Sequence, residues 1–164
     1  MKSSISSWVS SREPFRLFFL IGLGIAAAGL LPWPLVQLGW IRGWPGPLHA
    51  MTMMQGFLVA FAVGFLGTML PRRTGAPPLS PPELALLSAA LLGVPICLSI
   101  GSERAGQLAY CLVLLTLGRY ALRSLRRTEQ KQPPLPSFIW IPAGLLQGLV
   151  GALLLFTLAL WSAP

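Results

Sequence analysis

The chain has 164 residues, 54% of them hydrophobic and only 10% charged, with a formal net charge of +8. A soluble domain carries about 25% charged residues, so the composition excludes an ordinary soluble fold and indicates an integral membrane protein. Nucleic acid is excluded as a partner as well, because the basic residues stand between hydrophobic spans and form no continuous patch.

Uncharged apolar stretches of about 18 or more residues read as transmembrane helices. Five are expected, making one all-α polytopic bundle over residues 1–164. The polar, serine-rich leader precedes an apolar run too long for a signal-peptide core, and no small-residue cleavage site follows it. The first helix, about 14–31, is therefore expected to stay in the mature protein. Pro14 suits its first turn, and Pro32 and Pro34 are expected to end it. The second covers about 48–70, between Pro47 and Pro71. The third covers about 83–100: Ser80, Pro81 and Pro82 lead in, Glu83 favours the positive N-terminal dipole, and Pro95 is expected to kink it. The fourth covers about 105–122 and has only fourteen uncharged residues between Arg104 and Arg119. It crosses if Arg119 and Arg123 snorkel to the headgroups; the alternative is a shallow re-entrant hairpin with the third. The fifth covers about 137–161.

The charges set an orientation. With the N-terminus cytoplasmic, Lys2, Arg12, Arg16, Arg72, Arg73, Arg119, Arg123, Arg126, Arg127 and Lys131 lie inside, and only Arg42 and Arg104 lie outside. Basic residues favour cytoplasmic loops. Tryptophans fall at both interfaces, Trp33, Trp40, Trp44 and Trp161 outside and Trp8 and Trp140 inside.

The chemistry-bearing residues are few. Glu13, Glu83, Glu103 and Glu129 all fall at span ends or in loops, which disfavours an ion-coupled machine acting alone. No phosphate-binding loop, nucleophile elbow or zinc motif is present, so a self-sufficient hydrolase is not expected. Cys97 and Cys111 read as buried free thiols. Attention falls on helix two, which opens with the single histidine, His49. Met53, Gly56, Ala60 and Gly67 follow on the same face, with Gly64 and Thr68 on its flank. Small residues at this spacing let another helix approach closely, and Gly144 and Gly148 on helix five offer a matching notch. The same face has room for a flat cofactor: imidazole is a good ligand for haem iron or copper, with His49, Met53 and Gly56 as the binding residues. A third reading is a Cu(I) site of His49, Met51 and Met53, with Met54 close by.

Two blocks add to this. The run His49-Ala50-x-x-Met53-x-x-Gly56-Phe57, followed by Gly64-Phe65-Leu66-Gly67-Thr68 and Pro71, resembles the second-helix signature of the NnrS family. So does Glu13-Pro14-Phe15-Arg16-Leu17-Phe18-Phe19-Leu20 ahead of it. The likeness is carried by the first 75 residues; residues 83–164 match as generic spans. The family often shows H-x-H-E, and here Met51 and Thr52 stand at the second histidine and the glutamate. Its members tend to be more than twice as long, so the chain resembles an N-terminal portion. The resemblance implies a bacterial inner-membrane protein containing haem and copper and linked to nitric oxide or respiratory stress. His49 is then the ligand that carries over, with the second axial position empty or filled by Met53 or a partner chain. The expected partners are the lipid bilayer and either a second copy or a companion membrane subunit; no enzymatic reaction is implied. The open alternative is a non-catalytic membrane scaffold whose small-residue faces are docking surfaces.

Overall fold

A computed structural model describes residues 13–126 and 140–161. Every regular element among them is helical, and five helical stretches are long and apolar enough to cross a membrane. In lipid this is the expected solution, because a helix satisfies its own backbone polar groups. Lys2, Trp8, Arg12, Arg127, Glu129, Lys131 and the expected first turn of helix five, 137–139, lie outside the described residues.

The first stretch is α1 (Pro14–Leu30) followed directly by α2 (Pro32–Gln37). Pro32 and Pro34 therefore do not end the helical path as expected. Leu31 keeps right-handed helical angles, φ −53° and ψ −37°, and proline at the first position of a new segment lacks only an N–H that had no partner there.

The second stretch is α3 (Gly46–Met51), a π-helical turn (Thr52–Phe57) and α4 (Leu58–Thr74). It runs past Pro71, where a stop was expected, and closes at Gly75, whose φ of +68° makes the left-handed C-terminal cap. Pro71 has no N–H for the carbonyl of Gly67 four residues back. Tyr120 supplies the missing donor: its hydroxyl lies 3.3 Å from Gly67 O.

The third stretch is α5 (Pro81–Ser99). Ser80 caps it, and Glu83 reaches back to accept from the Ser80 backbone N–H at 2.8 Å, a capping box. The helix continues through Pro95. The fourth, α6 (Glu103–Arg126), has 24 residues and so a length of about 36 Å, enough for a bilayer core of about 30 Å. Its arginines do not simply snorkel. Arg123 holds both oxygens of Glu83 on α5, at 3.1 and 3.2 Å, and Arg119 reaches the same carboxylate at 3.3 Å. The fifth is α7 (Trp140–Trp161).

The helices pack as α1 against α4, α5 against α6, and α7 against α6. The core lies where the first four stretches meet, around Phe18, Ile25, Val63, Leu87, Leu91, Leu117 and Tyr120. Phe19 stacks on Phe61 with ring centroids 4.3 Å apart, fixing the α1–α4 seam further.

Candidate functional site

His49 stands at the end of the bundle where α1 stops. The last carbonyls of a helix are open to donors from neighbouring elements. One of these carbonyls, Gly29 O, lies 2.9 Å from His49 Nδ1. A carbonyl oxygen only accepts, so Nδ1 is the donor in this contact, and in a neutral ring the lone pair is on Nε2. Trp33 meets the imidazole edge-on, 5.8 Å between centroids, and Trp44 meets Trp33 in the same way at 5.1 Å. The ring is thus held by one hydrogen bond and one aromatic edge.

The π turn after His49 changes what the sequence spacing implied. It widens the helix by about one residue per turn, so His49 no longer keeps regular register with the face of Gly67. Thr52, Gln55 and Gly56 turn inward and are buried. The methyl of Thr52 and Sδ of Met53 both press on Gly29: a Cβ there would come within 3.1 and 3.3 Å of them. Gly29 therefore joins His49, Thr52 and Met53 at one point, a residue that sequence reasoning missed. Its signal was a small residue just ahead of a proline pair.

Sequence reasoning also missed the amide pair beneath the π turn. Gln55 and Gln107 are both buried and exchange two hydrogen bonds, at 3.1 and 3.2 Å. Each buried amide is the partner of the other. Two glutamines inside apolar spans were the available signal.

The glycine face is occupied by helix packing. A Cβ on Gly56 would sit 2.7 Å from Ile25 Cγ2, and one on Gly64 would meet Phe15 Cα at 3.0 Å. One on Gly67 would meet Leu79 Cδ1 at 2.8 Å. The partner is α1, with Leu79 closing the far end, and not helix five. The Gly144–Gly148 notch is a separate matter: Gly148 takes the Tyr110 hydroxyl and Leu114 of α6, and nothing lies within 4 Å of a Cβ on Gly144.

Of the remaining sulfur residues, Met51 is half-buried and lies two positions, about 200°, from His49. Met54 is 62% exposed. Cys97 and Cys111 are free and half-buried. Among the described residues no group of three or more His, Cys, Asp or Glu side chains gathers as a metal site.

A family model described as NnrS protein matches residues 10–164. The chain belongs to the NnrS family. The match runs well past the two blocks in the first 75 residues, so α5, α6 and α7 belong to the NnrS pattern and are not only generic spans. No curated protein and no solved structure matches the chain. With NnrS membership and five membrane-length helices, the protein is a multi-pass membrane protein.

Proposed function

We propose that this NnrS chain sits in the bacterial inner membrane with its N-terminus inside, holds a haem through His49 near the outer face, and serves the response to nitric oxide or related respiratory stress. The observation that carries the reading is the 2.9 Å contact between His49 Nδ1 and Gly29 O. Metal-ligating histidines typically donate one ring N–H to a carbonyl or carboxylate, which orients the ring and raises the basicity of the other nitrogen. His49 has that arrangement.

The donor fits and the expected cradle does not. Nε2 of the neutral ring would be a suitable donor to haem iron, whereas the space in front of Gly56 belongs to Ile25. Gly56 therefore leaves the binding set and keeps a packing role. Bound haem would supply an iron able to take a small diatomic ligand such as nitric oxide. The chain's own residues do the rest. Gly29 O fixes the tautomer, the Trp33 edge limits ring rotation, and Met53 sets a soft thioether against the same glycine. Copper has less support: beyond His49 and Met53, the exposed Met54 and the offset Met51 do not complete a soft ligand set.

The absorbance spectrum of purified protein tests the proposal. A Soret band is expected in the wild type and is expected to be lost or shifted in His49→Ala. Absence of haem from the wild type, or an unchanged band in the variant, overturns it.

A second reading, a non-catalytic membrane scaffold, is favoured by the complete use of the glycine face in helix packing. It expects Gly56→Leu to disrupt the protein while His49→Ala stays nearly silent in every assay.

A further inference from the structure

Away from His49, at the opposite end of the bundle, α6 and α7 part to leave a groove of about 400 Å³. Its walls are aliphatic. Leu115 and Leu122 of α6 and Leu146 of α7 are each half or more exposed along it. Its floor contains Gly118, where a Cβ would still be 4.0 Å from Leu145. From Leu114 to Leu125 the groove follows eleven helical steps, about 16 Å.

One charged residue lines the groove. Arg119 stands among these leucines with its side chain 75% exposed. Its charge is in excess. Among the described residues the carboxylate beside it, Glu83, is already held at both oxygens by Arg123, and Arg119 shares it through one nitrogen at 3.3 Å. Arg126 follows two turns later on the same face of α6. An apolar groove with guanidinium charge midway along it is complementary to a molecule that joins an acyl chain to an anionic head.

We infer that the α6–α7 groove binds an anionic phospholipid, with one acyl chain along the leucine walls and the phosphate at Arg119. Guanidinium matches phosphate oxygens in geometry as well as charge. Each arginine near a membrane surface favours an anionic lipid about fivefold. The inference is independent of whether His49 holds haem.

Native mass spectrometry of the full chain tests it, with phosphatidylglycerol and phosphatidylcholine of identical acyl chains as probes. The wild type is expected to retain one phosphatidylglycerol at least about fivefold in preference to phosphatidylcholine. Arg119→Gln is expected to remove most of that preference while Arg123 keeps Glu83 paired. Gly118→Phe, which fills the floor, is expected to lose the retained lipid, with circular dichroism confirming that it is folded. Equal retention of both lipids by the wild type overturns the inference. So does undiminished retention of phosphatidylglycerol by folded Gly118→Phe, or a groove closed by a second copy of the chain in place of lipid.

Discussion

Two side chains in this protein donate to a carbonyl of a neighbouring helix, one of which proline leaves unpaired. Tyr120 donates to Gly67 O, four residues before Pro71, and His49 donates to Gly29 O at the end of α1. In lipid there is no water to do this, so a freed carbonyl recruits a donor from a neighbouring helix. The Gln55–Gln107 pair follows the same rule with two side chains. Replacing one amide leaves the other buried without a partner, at a cost of about 1–3 kcal/mol. Gln55→Leu and Gln107→Leu alone are each expected to lower the unfolding midpoint in detergent, and the double variant to recover much of the loss. A double variant as damaged as the sum of the two would show that the pair itself is not what matters. Glu83 shows a further residue-scale economy: one carboxylate caps α5 through Ser80 and ties it to α6 through two arginines.

Among the elements, the π turn and the glycine face determine how the bundle is joined. The glycines let α4 approach α1 backbone to backbone, as at Gly64 and Phe15 Cα. In a membrane such close packing provides much of the association between helices. Gly56→Leu is expected to cost about 1–3 kcal/mol by overpacking against Ile25, read as a lower thermal midpoint. Ile25→Ala added to it is expected to restore part of the loss. If it restores none, Gly56 and Ile25 are not opposed in the way the geometry indicates. The small-residue face was legible from its spacing, but its partner was not. Two candidate faces existed in the sequence, and spacing on one helix carries no information about which neighbour fills it. The π turn was illegible for a related reason: Thr52–Phe57 has no glycine–proline signature, and the widened turn coincides with tertiary contacts such as the pairing of Gln55 with Gln107.

For the whole molecule, the ten-to-two charge asymmetry predicts a single orientation in the membrane. In a Cys97→Ser/Cys111→Ser background, a cysteine placed at Gly43 is expected to react with an impermeant thiol reagent from the periplasmic side, and one at Gly75 only after the membrane is opened. The reverse pattern would invert the topology and move His49 to the cytoplasmic face. The fold class, the number of membrane-length helices and the NnrS likeness were all present in the sequence by itself. They rest on composition, on apolar run length and on a motif, which are properties of the chain read along one dimension. The tertiary structure decided the rest: that α1 fills the glycine face, that Gly29 O meets His49 Nδ1, that Tyr120 answers Pro71, and that α6 and α7 leave a groove beside Arg119. Each of these is a meeting of residues from different helices. In a bundle where nearly every surface is equally apolar, only close packing and the pairing of buried polar groups distinguish one such meeting from another.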